Sequence, residues 1–306
     1  MLLKKLIILF IRHNLLILML FPQVITVIPT FFTTDGLVDY QSMNEHIQDQ
    51  ISKGIESIVI LGTTSEAPTL SQIEREEIAR FVFSNYGNIV SVIIGLGGNN
   101  TNEMVAEISR LSPFAEYIMI SQPYYNKPSQ EGIYQHYKQL IQSTNKNIII
   151  YNIPSRCGVN IEPATIARIS QEFNQVIAIK EASGSLEQVM NIKELCPNLL
   201  IYSGDDALVL PIMSIGGAGV FSVVSNLIPQ FMISMLNEFT NGSRLTAQDY
   251  FYRIKPLIKF CFVEVNPVPI KYMLSIYQNK QSLAHVRLPL VELTNESKNR
   301  YPVVEL

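Results

Sequence analysis

The sequence predicts a closed (β/α)8 TIM barrel followed by a C-terminal helical domain. Eight short, nearly continuous apolar runs rich in Val and Ile recur between residues 24 and 223. Longer segments with polar residues at helical spacing separate them. After about Gly242 the strand texture stops and only helical patterning remains. Continuous apolar runs, as opposed to alternating ones, belong to strands covered on both faces. Strand–helix units repeated eight times fit a closed parallel barrel. An open doubly wound sheet fits less well, because no GxGxxG follows the first run.

In chain order the runs are VITVIPT (24–30), SIVILG (57–62), VSVIIG (90–95), YIMIS (117–121), NIIIYN (147–152), VIAIK (176–180), LLIYSG (199–204) and AGVFSV (218–223). Between them, DYQSMNEHIQDQISKG (39–54), SQIEREEIARFVFSNYG (71–87) and EGIYQHYKQLIQST (131–144) read as helices. Gly54 and Gly87 are expected stops, and Ser71 with Glu74 forms a capping box. The stretch 249–278, DYFYRIKPLIKFCFVEVNPVPIKYMLSIYQ, reads as helices broken at Pro256 and at Asn266-Pro267-Val268-Pro269. The expected domains are 22–242 for the barrel and 243–306 for the helical appendage. Residues 1–21 are a strongly apolar leader with Lys4 and Lys5 near its start. Arg12-His13-Asn14 breaks it into pieces too short to span a bilayer, and no A-x-A-like cleavage site follows. It is expected to be a dispensable extension or the result of a true start at Met19.

Composition removes several function classes. Of 306 residues, 47% are apolar and 16% charged, as in compact globular proteins. The net charge is -3 and no basic cluster exists, which argues against nucleic-acid binding. Three scattered cysteines, without CxxC, suggest a reducing, cytoplasmic setting and no disulfide framework. The four histidines form no HExxH-like pair, so no metal site is expected. No nucleotide motif is present, and no cofactor is expected.

In a (β/α)8 barrel the reactive groups sit at the C-terminal ends of the strands. The second run is followed by Gly62-Thr63-Thr64-Ser65-Glu66, and the fourth by Pro123-Tyr124-Tyr125-Asn126-Lys127-Pro128. The fifth ends Tyr151-Asn152-Ile153-Pro154-Ser155-Arg156, the sixth on Lys180-Glu181, and the seventh in Ser203-Gly204-Asp205-Asp206. Each alone has a structural explanation: a capped turn, aromatic loop packing, a solvated arginine, a strand reaching water. Together they place a lysine, an arginine, hydroxyls and phenols at one rim. A lysine desolvated there can attack a ketone as the free amine and form a Schiff base. That chemistry also needs a proton shuttle, which a tyrosine with a hydroxyl partner supplies. It needs a carboxylate holder, which Gly-Thr-Thr amides and an arginine supply. The residues thus point to a metal-free class I aldolase or lyase acting on a small keto acid.

The same motifs, with Asn266-Pro267-Val268-Pro269-Ile270-Lys271 and Arg287-Leu288-Pro289, resemble the dihydrodipicolinate synthase family of pyruvate-dependent class I aldolases from about Gln23 to the end. The resemblance implies Lys180 as the Schiff-base lysine and Tyr151 as proton donor and acceptor. Thr63 and Tyr125 complete a relay, with Tyr125 reaching in from a neighbouring subunit of a homotetramer. Thr64 holds the pyruvate carboxylate, and Phe221 contributes a backbone contact. Arg156 binds the carboxylate of the second substrate, aspartate semialdehyde. An N-acetylneuraminate lyase or 2-keto-3-deoxy-sugar acid aldolase is the related alternative, and Arg156 argues against it. A non-catalytic keto-acid binder is the alternative of another class.

Two departures stand out. Ser65 replaces the family's usual glycine, a cost if that turn requires a positive φ. Phe221 replaces an isoleucine and is expected to narrow the pocket. Asn99, Glu103 and Tyr124 match a lysine-inhibition site of the family, but Ala67, Gln72 and Arg75 replace its serine and histidines, which implies weak inhibition.

Overall fold

The computed structural model describes residues 21–304. The expectations placed on residues 1–20, including a start at Met19, lie outside the described residues. Eight parallel strands close into a barrel in chain order. They are β1 Val24–Val27, β2 Ser57–Ile60, β3 Ser91–Leu96, β4 Tyr117–Ser121, β5 Asn147–Asn152, β6 Val176–Glu181, β7 Leu200–Ser203 and β8 Gly219–Ser222. Each lies within or at the border of an apolar run. β1 pairs with both β2 and β8, so no strand edge is left open.

Closure explains why the runs are apolar without alternation. Ile25, Val27, Val59, Ile93, Met119, Ile149, Ala178, Leu200 and Phe221 fill the barrel. Ile58, Ile60, Ile94, Ile118, Ile148, Ile150, Ile179, Ile201 and Val220 pack outward under the helices. Both faces are dry, so both are apolar. Phe21, read from sequence as the end of the leader, packs in the barrel interior, edge-on to Tyr117 and Tyr202 with ring centroids 4.9 and 5.6 Å away.

The outer helices are α1 Tyr40–Ser52, α2 Gln72–Tyr86, α3 Thr101–Leu111, α4 Gln130–Gln142, α5 Pro154–Cys157, α6 Pro163–Glu172, α7 Leu186–Leu195, α8 Val209–Ser214 and α9 Pro229–Thr240. Helix α2 begins with the expected capping box, Ser71 and Glu74 each bonding the other's backbone N–H. The chain continues in α10 Arg244–Phe260, α11 Val268–Tyr277 and α12 Asn295–Lys298. One expectation fails: Pro256 does not break a helix, because α10 runs straight through it. Proline removes one hydrogen bond, the one to the Tyr252 carbonyl. Tyr252 is exposed, so water can take that bond, while Ile254, Leu257 and Ile258 keep the helix packed on its buried side. The break at Asn266-Pro267 is present, with α11 starting just after it.

The C-terminal segment is bolted to the turn after β2. Lys271 forms an ion pair with Glu66 at 2.7 Å, both side chains fully buried. The Arg287 backbone N–H donates to the other Glu66 oxygen at 3.0 Å. Its guanidinium grips Glu74 through two nitrogens at 2.6 and 3.1 Å, and it also donates to the Gly36 and Thr69 carbonyls. Among the described residues no helix is long and apolar enough to cross a membrane.

Candidate active site

At the C-terminal mouth of the barrel lies a cavity of about 330 Å³. Its walls include Gly62, Thr63, Gly95, Gly97, Ser121, Tyr124, Tyr151, Arg156 and Cys157. One wall is bare backbone for a steric reason. A Cβ on Gly95 would sit 2.9 Å from the Gly62 Cα, so only glycine lets β2 and β3 end this close together.

Tyr151 and Lys180 are register partners on β5 and β6. The Lys180 Nζ lies 4.3 Å from the Tyr151 ring centroid and 5.4 Å from that of Phe221. Among the described residues no carboxylate stands within ion-pair distance of this ammonium. Burial therefore decides its protonation. It pulls Lys180 down from the ordinary lysine value to about 7; the Asp206 carboxylate opposes this and the Arg156 cation adds to it. A lysine held there has about half of its population as the free amine near neutrality.

Tyr151 is pushed well up from the ordinary phenol value by burial, against Arg156 and a hydrogen bond with Thr63. It remains a neutral phenol, able to donate to one oxygen and accept at its own. Thr63, in the cavity wall, is its hydrogen-bond partner. Arg156, on α5, is exposed at the mouth, with one long bond of 3.4 Å to the Asn266 carbonyl. Cys157, its neighbour, is pushed up to about 11 by burial, which makes it a poor nucleophile.

The structure brings together Lys180, Tyr151, Thr63, Arg156 and Phe221. Thr64 lies beside them but is buried, and its hydroxyl accepts from Asn266 Nδ2 at 2.9 Å. Tyr125 is not brought in. It is 86% exposed and held at φ 69°, a left-handed conformation that a tyrosine rarely adopts. Ser65 carries no such burden: it is absent from the positive-φ positions, which near this turn are Leu61 and Glu66. The Ser65 hydroxyl donates instead to the Ile28 carbonyl at 2.7 Å, tying the turn to the end of β1.

Three residues near the site escaped the sequence reading. Asn266 contacts both Thr64 and Arg156 from the far end of the chain. Asp206, read only as part of a turn and cap, is a buried carboxyl near Lys180. Its Oδ2 accepts from the Val223 and Val224 N–H groups at 2.9 and 3.1 Å, and burial pushes it up to about 6. Its neighbour Asp205 supplies the expected cap, accepting from the Ala207 N–H. Gln122, immediately after β4, is fully buried behind the Arg156 segment. A polar residue directly following an apolar run at the active rim was the available signal for Gln122.

Comparison with known proteins agrees with this geometry. The model of the dihydrodipicolinate synthetase family matches residues 20–304. The 4-hydroxy-tetrahydrodipicolinate synthase of Endomicrobium trichonymphae is 39% identical over 282 residues, covering 92% of this chain and 95% of that one. The 4-hydroxy-tetrahydrodipicolinate synthase structure from Methylacidiphilum fumariolicum SolV superposes with a TM-score of 0.88 at 34% identity, covering 92% and 93% of the two chains. A Cyanidioschyzon merolae structure of the same kind, with lysine bound, also gives a TM-score of 0.88, at 33% identity and 92% and 96% coverage.

Proposed function

The chain belongs to the dihydrodipicolinate synthetase family, and from that premise we propose that it condenses pyruvate with L-aspartate 4-semialdehyde to give 4-hydroxy-tetrahydrodipicolinate and water. The observation that carries the reading is Lys180: a buried amine at the barrel mouth, without a carboxylate partner among the described residues, with an ionisation pulled down to about 7.

The residues have these roles. The Lys180 amine attacks the pyruvate ketone, and the carbinolamine loses water to give an iminium. The iminium draws electron density from the methyl group, which loses a proton and becomes an enamine. The enamine carbon attacks the aldehyde of the second substrate, forming the new C–C bond. The resulting alkoxide takes a proton. Attack of the acceptor's own amino group on the iminium carbon closes the ring and releases Lys180. Tyr151, in relay with Thr63 and with Tyr125 of a second copy of the chain, moves the protons. The Thr63–Thr64 turn holds the pyruvate carboxylate, and Arg156 the carboxylate of the semialdehyde. The exposure and left-handed backbone of Tyr125 support its insertion into a neighbouring subunit, as in a homotetramer built as a dimer of dimers. The enzyme is expected to work in the cytoplasm.

Borohydride reduction in the presence of pyruvate, followed by peptide mass spectrometry, tests this reading when semialdehyde consumption is assayed on the same sample. A pyruvyl adduct on Lys180 with turnover is the expected result. An adduct without turnover would move the acceptor to another aldehyde, and no adduct at Lys180 would remove the mechanism. Free lysine is expected to inhibit weakly. Ala67 and Gln72 offer no imidazole, and Arg75 is engaged by Glu107 at 2.6 Å. Half-inhibition by sub-millimolar lysine would overturn that expectation.

A further inference from the structure

Behind the catalytic strands runs a buried polar network that the mechanism does not use. Asn152 and Glu181 are register partners on β5 and β6, one residue beyond Tyr151 and Lys180, and so face away from the barrel interior. Both are buried. A buried carboxylate normally needs a cation. Glu181 has none within ion-pair distance among the described residues. Its oxygens accept instead from the Ser183 N–H at 2.7 Å, from Asn152 Nδ2 at 2.9 and 3.2 Å, and from Gln188 Nε2 at 3.1 Å. Asn160 bridges Asn152 and Gln188.

Gln122 joins this network to the Arg156 segment. Its Nε2 donates to Asn152 Oδ1 at 3.1 Å and to the Val159 carbonyl at 2.9 Å. Its Oε1 accepts from the Ile153 N–H at 3.2 Å. The side-chain amide thus grips both ends of segment 153–159, which contains α5 and Arg156. Just beyond, the Ile161 N–H donates to Asn152 Oδ1 at 3.1 Å. The Arg156 guanidinium itself is exposed and, among the described residues, makes only the long Asn266 contact, so its backbone decides where it stands. Lys180 and Tyr151, by contrast, are held by the strand ladder.

We infer that Gln122 is a positioning residue for the second substrate: by clamping segment 153–159 it sets the Arg156 guanidinium where the acceptor carboxylate binds, and it leaves pyruvate capture untouched. The inference deepens the proposed function and rests on the role given there to Arg156. A misplaced clamp weakens the hold of Arg156 on the acceptor carboxylate equally before and during reaction, which raises the acceptor KM and leaves kcat at saturation unchanged.

The test is Gln122→Met, close in volume but unable to make these bonds, in the full-length enzyme. The acceptor KM should rise about tenfold. The pyruvate KM, the borohydride-trapped adduct on Lys180 and kcat at saturation should stay within about twofold. In an Arg156→Ala background the same substitution should add nothing further to the acceptor KM. An unchanged acceptor KM, a parallel loss of pyruvate capture, or effects that multiply in the double variant would each overturn the inference. If Gln122→Met does not fold, Gln122→Asn keeps the amide but is one methylene too short to span Ile153 and Val159, and the same outcomes apply. The wild type separates the two levels of failure. If it traps pyruvate yet prefers the semialdehyde no more than an aldehyde lacking the carboxylate, the role of Arg156 is lost and this inference with it. If that preference is present and Gln122→Met leaves it intact, only the inference is lost.

Discussion

Lys180 and Lys271 are two buried lysines placed at the same end of the barrel, and their surroundings give them opposite uses. Both are lowered from the ordinary lysine value, with burial as the main cause. Lys271 has a carboxylate at 2.7 Å and stands over the Phe32 ring. Lys180 has two aromatic rings and, among the described residues, no carboxylate at ion-pair distance. Burial alone therefore does not mark a nucleophile. In the proposed mechanism the partnered lysine is a bolt and the unpartnered one is the reagent. The ion pair anchors the turn after β2, because Glu66 stands three residues beyond Thr63, which lines the cavity.

The comparison breaks most visibly if the lysines are removed in turn. Lys180→Ala should lose about 10³-fold or more in turnover and all borohydride trapping, with the fold retained. Circular dichroism beside the activity assay checks this, and measurable trapping at another lysine would refute the assignment. Lys271→Met should act on stability, because it leaves Glu66 buried without its cation. A loss of about 3–5 kcal/mol in denaturant unfolding is expected, most of it recovered in Glu66→Gln/Lys271→Met. A single variant as stable as wild type would show that the pair is not buried as described.

Smaller effects sharpen the contrast. Imine formation requires the neutral amine, so with Lys180 at about 7 the initial trapping rate should climb about tenfold between pH 6 and pH 8 and then level off. A rate still climbing steeply at pH 9 would place Lys180 near an ordinary lysine. Phe221→Leu should keep the burial but remove an aromatic face that favours the ammonium, 5.4 Å away. A cation–π contact worth about 0.5–1 kcal/mol moves the midpoint of that profile down by about half a unit. An upward shift would mean that the ring acts mainly by excluding water.

Much of this was legible before folding. The eight runs declare strands because a barrel strand is dry on both faces, and VIAIK shows a charge where a dry face ends. Lys180, Tyr151, Thr63 and Arg156 could be gathered from positions scattered along the chain because every strand of a parallel barrel ends at one rim. The same rule could have flagged Gln122, a polar residue directly after an apolar run that escaped the sequence reading, and nothing local marks its partners. Pro256 misled because a local rule about proline cannot register that the helix it interrupts is packed on one side and wet on the other.

What the sequence determined by itself was thus the periodic part: strand order, barrel closure and the rim at which the candidate residues gather. These depend on local apolar pattern and chain order, which a linear text carries in full. The tertiary structure decided which buried charge is paired, that Ser65 escapes a left-handed backbone, that Tyr125 points outward, that Gln122 braces the segment carrying Arg156, and that Asn266 reaches Thr64 and Arg156. Those outcomes depend on pairs such as Asn266 with Thr64, 202 residues apart, and Lys271 with Glu66, 205 apart. Contacts so distant in sequence leave no periodic trace. They exist only after closure excludes water, and it is that exclusion that turns a hydrogen bond or a missing counter-charge into a determinant of function.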